Sequence, residues 1–180
     1  FQLDMSSSVQ DVVSSLSKIR IADTHSKVHF MVADKSGDYV TIEFLEGRQI
    51  VNRRTTYPVL ANNSYEDEVS YLNLHKGFGG QKGFTQTGFS RDRFVETCQL
   101  LGQGPDIKSD VDAFIILDKV STSGTVWSIV YDLDKLTITF KTENNRRIRK
   151  ISLSNLDFAC DDTMMSYDLS LESDNVVRFE

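Results

Sequence analysis

Apolar residues recur at helical spacing at Val9, Val12, Val13, Leu16 and Ile19, behind a serine run at positions 6–8. Ser8 with Asp11 gives the serine-to-acid spacing of a capping box, and together these features predict a helix over 9–19. The pattern then changes to strands. Segments 28–33 (VHFMVA), 39–45 (YVTIEFL) and 48–52 are predicted strands, with KSGD at 35–38 and Glu46-Gly47 supplying the turns. The short apolar run 57–60 continues this meander. Residues 65–74 predict a helix with Glu66, Asp67 and Glu68 in its first turn, where acids complement the helix dipole. Segment 77–88 has five glycines and no aliphatic residue, and predicts a loop. Ser90 is expected to cap a helix carrying Phe94, Val95, Cys98 and Leu101, which Gly102, Gly104 and Pro105 close. Asp110 starts a further helix with Val111, Phe114, Ile115 and Leu117, and strands follow at 126–131, 136–141, 148–153 and 166–171.

Helix, strands, helices, strands, with tight turns between consecutive strands, is an α+β order with antiparallel sheets rather than a doubly wound parallel sheet. No repeat and no internal boundary stands out, so residues 1–180 are expected to form a single domain. At 39% hydrophobic and 26% charged, the chain can bury a sizeable core and is not a disordered tail. A formal net charge of -6, with acids spread along the chain, argues against a nucleic-acid partner. The dense basic cluster Arg146, Arg147, Arg149 and Lys150 lies beside a strand and is expected to be a solvated edge or hairpin. No apolar run reaches the length of a membrane span. The chain opens FQLDMSSSVQ, which reads as an internal start and leaves export and compartment open. Cys98 and Cys160 are too few for a disulfide framework or a metal site, and no cofactor is expected.

Segment 57–74, YPVLANNSYEDEVSYLNL, is the most informative stretch. It sets two adjacent amides, Asn62 and Asn63, just past an apolar run. A fixed uncharged amide there can donate to a carbonyl oxygen on which negative charge develops. An asparagine is also common in a turn after a strand. Val59, Leu60, Asn62, Asp67, Tyr71, Leu72, Asn73 and Leu74 resemble the choloylglycine hydrolase and penicillin V acylase pattern V-L-T-N-(S/N)-P-T-F-D-(W/Y)-x-L-x-N-L. Ser90, Arg93, Phe94 and Val95 resemble its S-x-x-R-F-V. Thr125, Trp127, Val130, Tyr131 and Asp132 resemble its T-x-W-x-x-V-Y-D. Segment 148–158 fits the family's end region. The blocks fall in the family's order and cover its second part.

The resemblance implies the αββα fold of N-terminal-nucleophile hydrolases, with antiparallel sheets between helical layers, this chain being the second part. It implies hydrolysis of a linear amide C–N bond by the thiol of an N-terminal cysteine. Conjugated bile salts, phenoxyacyl penicillins and N-acyl amines are the substrates it suggests. Phe1 has no nucleophilic atom, so the cysteine is expected in a missing N-terminal part of the same enzyme, and this chain alone is expected to be inactive. Asn62 takes the place of the family's oxyanion asparagine, with Asn63 beside it as a substrate-binding candidate. Arg93 takes the place of an arginine that would favour the thiolate. A surface pairing of Arg93 with Asp92 or Glu96 is the alternative, and Arg91 is a nearby decoy. Ala61 and Ser64 depart from the family's threonine and proline.

Cys98 is expected to be a small buried hydrophobe, and Cys160, beside two acids, a poor thiolate. His25, His29 and His75 have no Ser, Cys or carboxylate partner at a recognisable spacing. Trp127 is expected in the core. Phe78, Phe84 and Phe89 are expected either to line an acyl pocket or to anchor their loop. Homo-oligomers occur in the family. The reading from a different class is a non-catalytic α+β binding module.

Overall fold

The computed structural model describes residues 2–19, 28–103, 107–156, 158, 165–167 and 176–178. His25, Gly104, Pro105 and Cys160 lie outside them. The chain divides into two compact units, residues 1–102 and 103–180.

The first unit begins with α1 (Gln2–Met5) and α2 (Val9–Ser15), which runs on into a 3-10 turn, Leu16–Lys18. Ser8 accepts from the Asp11 N–H at 3.1 Å, the start its sequence predicted. Three strands follow: β1 (His29–Ala33), β2 (Tyr39–Leu45) and β3 (Arg48–Arg53), antiparallel with β2 in the centre. Glu46 and Gly47 both have positive φ, the geometry that a two-residue hairpin needs to match strand twist. Val40 and Ile42 on one face of β2 meet Val9, Val12 and Leu16 of α2 and its extension, forming one core cluster. Thr41 and Glu43 on the opposite face are buried as well, so β2 is covered on both sides.

The run 57–60 is not a strand. Arg54, at φ 47°, turns the chain out of the sheet, and Pro58 has no N–H to give a ladder. This segment is instead held by Tyr57, whose N–H donates to the Tyr65 hydroxyl at 3.4 Å. It leads into α3 (Tyr65–Leu72), and after the glycine-rich loop the unit reaches α4 (Ser90–Gln103). Val59, Leu72, Phe94, Val95 and Cys98 form a second core cluster. Phe78 and Phe84 pack against it, Phe78 edge-on to Tyr57 at 5.8 Å, so both anchor the loop. Phe89 is exposed.

The second unit contains α5 (Asp110–Lys119), capped by Ser109, and the antiparallel strands β4 (Trp127–Asp132), β5 (Thr137–Thr142) and β6 (Arg149–Ser152), with β5 central. A two-stranded ribbon, β7 (Met165–Tyr167) with β8 (Val176–Arg178), follows. Lys141 reaches Asp118 at 2.5 Å, and Thr139 donates to Asp110 at 2.7 Å, which ties α5 to the central strand. Two expectations are corrected here. Trp127 is 61% exposed, because β4 is an edge strand; among the described residues the unit's buried aromatics are Phe114 and Phe140. Arg149 is buried, its guanidinium 4.6 Å from the Phe140 ring, so it is not part of a solvated edge.

Candidate active site

Asn62 and Asn63 occupy the turn before α3, and Ser64 caps that helix. The Ser64 hydroxyl accepts from the Asp67 N–H at 3.2 Å and donates to the Asp67 carboxylate at 2.6 Å, a closed capping box. All three residues line an open cleft of about 550 Å³, together with His29, Glu43, Glu46, Arg48 and Asp67. The cleft lies wholly within the first unit. Carboxylates outnumber cations along its wall.

The two asparagines are used differently. Asn63 donates its side-chain amide to Glu68 Oε1 at 2.8 Å and its backbone N–H to the same oxygen at 3.4 Å. Asn62 donates its backbone N–H to the Ser90 hydroxyl at 2.8 Å. Its carboxamide is exposed, and among the described residues no hydrogen bond occupies it. One amide is therefore committed to the protein, and its neighbour is held by its backbone with the side chain available. Ser90, expected as the cap of α4 and as the serine of S-x-x-R-F-V, is the first residue of that helix, and its hydroxyl fixes Asn62.

Arg93 lies one helical turn beyond Ser90, on the same side of α4. It is half-buried, and its Nε is buried with no partner among the described residues. It pairs with neither acid beside it. Asp92 accepts from the Tyr71 hydroxyl at 2.9 Å and also bonds Thr87, while Glu96 bonds Gln86. Burial pushes the Asp92 carboxyl up, but those two hydrogen bonds and the charges of Lys82 and His75 bring it below its ordinary value. Arg93 is not among the residues lining the cleft. Arg91 stacks on the Tyr71 ring at 4.6 Å and is exposed.

Two partnerships were invisible along the chain. Cross-strand register places His29 opposite Glu43, with Nδ1 3.4 Å from Oε1, so His29 has a carboxylate partner after all. The same Glu43 accepts from Asn52 at 3.2 Å and from the Tyr65 N–H at 2.9 Å. Glu68, in the first turn of α3 as its sequence placed it, is fully buried. His75 is buried too. Its Nδ1 is 3.0 Å from the Tyr71 carbonyl, and its ring meets Tyr71 and Phe84 edge-on. Among the described residues no group of three or more His, Cys, Asp or Glu could hold a metal ion, and no helix is long and apolar enough to cross a membrane.

Cys98 is buried in the second cluster, as its sequence context implied. Burial, and then the Glu68 carboxylate, push its thiol up to about 12. The unfolded thiol ionises near pH 8.5. The folded state therefore holds its proton longer, and this contribution to stability falls as pH rises from about 8.5 to 12. In a Cys160→Ser background, Cys98 is expected to resist iodoacetamide until the unit unfolds. Rapid alkylation of folded protein would contradict its burial.

The fold is the α+β fold of N-terminal-nucleophile hydrolases. The chain belongs to the acyl-coenzyme A:6-aminopenicillanic acid acyl-transferase family, whose model matches residues 2–147. A penicillin V acylase from Pectobacterium atrosepticum is 28% identical over an alignment covering 53% of this chain and 28% of that protein. The solved penicillin V acylase from Agrobacterium tumefaciens superposes with a TM-score of 0.71 at 21% identity, over 95% of this chain and 56% of that one. A variant of the conjugated bile acid hydrolase from Clostridium perfringens gives 0.70 at 17% identity, over 97% and 63%. The resemblance to choloylglycine hydrolases and penicillin V acylases is thus confirmed, and the family is one of enzymes. The chain spans about a quarter of the curated relative and 56% to 63% of these solved structures.

Proposed function

We propose that residues 1–180 are the C-terminal portion of one amidase domain that hydrolyses linear amides through an N-terminal cysteine lying outside this chain. Attack by the thiolate sulfur forms a C–S bond and moves the carbonyl electron pair onto oxygen. Asn62 donates to that oxyanion. The C–N bond then breaks, the amine leaves with a proton held by the cysteine's own α-amino group, and water hydrolyses the thioester. Arg93 supplies the cation that favours the thiolate. Asn63, with its amide N–H groups turned to Glu68, meets substrate through its carbonyl oxygen.

The observation that carries this reading is the unoccupied, cleft-facing carboxamide of Asn62 beside a committed Asn63. The names of the relatives supply the substrates to try: penicillin V and a conjugated bile acid, to which we add an N-acyl amine. The intact enzyme is expected to release amine from at least one of them in a thiol-dependent way, while residues 1–180 alone release none. Release that persists after the N-terminal thiol is removed would overturn the reading.

Arg93→Met keeps the apolar stem and removes the charge. It is expected to move the acidic limb of the kcat/KM profile upward by about one pH unit, since the thiolate loses its cation. An unmoved limb removes Arg93 from the site.

A further inference from the structure

The geometry points to Glu68 as a positioning residue that aims the Asn62 carboxamide by gripping Asn63; this rests on the function proposed above. Glu68 is 0% exposed and stands near the Cys98 thiol, at the edge of the cluster formed by Leu72, Phe94 and Val95. A carboxylate placed there loses its hydration, a cost that its bonds to Asn63 offset only in part because Oε2 has no partner among the described residues. Helix capping does not explain it either, because Ser64 and Asp67 already close the capping box of α3.

What Glu68 does hold is the turn. Its Oε1 takes both the backbone N–H and the side-chain amide of Asn63, so this residue is fixed at two atoms by one rigid acceptor. Immediately after the turn, the Tyr65 N–H is fixed by Glu43, itself 2% exposed and bonded to Asn52 and His29. Immediately before it, the Asn62 N–H is fixed by Ser90. Within the four residues 62–65, three backbone N–H groups, those of Asn62, Asn63 and Tyr65, are thus bound to α4, α3 and β2 respectively, with Ser64 as the cap between them. In that run Asn62 keeps its whole carboxamide, including the N–H groups proposed to hold the oxyanion, while the Asn63 amide N–H is spent on Glu68. A donor must be aimed within a fraction of an ångström to act in the transition state, and such aim comes from the surrounding hydrogen bonds.

The test compares Glu68→Met and Glu68→Gln in the intact enzyme, alongside Asn62→Ala, using the fastest of penicillin V, a conjugated bile acid and an N-acyl amine as substrate. Glu68→Met leaves the Asn63 donors unpaired and is expected to fold with reduced stability in urea, and to lose about 10- to 100-fold in kcat with KM within about threefold. Glu68→Gln retains a carbonyl acceptor for Asn63 and is expected to restore most of that loss. Asn63→Ala is expected to lower kcat as well, and to be markedly non-additive with Glu68→Met, because the side-chain bond from Asn63 to Glu68 is lost in both. Unchanged kcat in folded Glu68→Met, or additive losses in the double variant, would overturn the proposal. If Glu68→Met does not fold, failure of Glu68→Gln to keep activity, or unchanged kcat in Asn63→Ala, overturns it instead. Should Asn62→Ala itself leave turnover intact, the oxyanion reading fails, and the positioning role fails with it. A crippled Asn62→Ala beside an unaffected Glu68→Met removes the positioning role alone.

Discussion

Asn62→Ala is expected to lower kcat of the intact enzyme by about 100- to 1,000-fold, with KM nearly unchanged and the fold intact. The size follows from where the amide acts. A carbonyl oxygen in the ground state carries little charge, and gains little from one more donor. In the tetrahedral intermediate it carries a full negative charge, and a preorganised N–H then contributes about 3 kcal/mol. The fold should not suffer, because the backbone N–H that bonds Ser90 survives the substitution and the side chain is exposed. Steady-state kinetics with a thermal melt of the same preparation checks both halves. A large rise in KM at constant kcat would make Asn62 a binding residue instead.

The largest loss of stability is expected from Phe94→Ala, at about 3–5 kcal/mol in urea unfolding of the first unit. Phe94 is 1% exposed, sits in the cluster of Val59, Leu72, Val95 and Cys98, and meets the Tyr65 ring edge-on at 6.3 Å. Its removal leaves a cavity that the surrounding backbone of two helices cannot close. Leu101, on the same helix but 38% exposed, is the control, and Leu101→Ala should cost under about 1 kcal/mol. Equal losses at the two positions would contradict the core described here. Phe94 also connects packing to chemistry. It follows Arg93 in α4, and its partner Tyr65 begins α3, so the same cluster sets the starts of the two helices that carry the site.

The elements that the sequence placed well are those with local signals. Ser8 and Asp11 marked the start of α2, KSGD and Glu46-Gly47 marked the turns of the meander, and the alternating run 39–45 marked β2. The failures have physical causes of their own. Residues 57–60 are apolar enough for a strand, but Pro58 and the positive φ of Arg54 take them out of the ladder. Trp127 looked like core because its neighbours are apolar, whereas its exposure depends on β4 being at an edge, which is a matter of topology. Arg149 was counted with a charged cluster and proved to be buried on Phe140.

The same distinction runs through the site. Asn62, Asn63 and Arg93 could be named because a motif carries them. Glu43 and Glu68 could not, since nothing in a one-dimensional pattern separates a buried acid from a solvated one. His29 meets Glu43 only through strand register, fourteen residues away along the chain. Ser90 meets Asn62 only because α4 returns past the turn before α3. Motifs identify the groups that touch a substrate, and the residues that aim those groups emerge from the fold.

The most direct measurement is the inhibition constant of the aldehyde R–CHO in which the scissile CO–NH of the preferred substrate R–CO–NHR′ is replaced by CHO, in wild-type enzyme and in Asn62→Ala. Addition of the N-terminal thiol to the aldehyde gives a hemithioacetal whose oxygen occupies the oxyanion position, so the adduct samples the transition-state contact at equilibrium. If Asn62 is the oxyanion donor, the variant binds the aldehyde about 100-fold more weakly while its KM for the amide stays within a few fold. Equal inhibition of the two proteins would contradict the account.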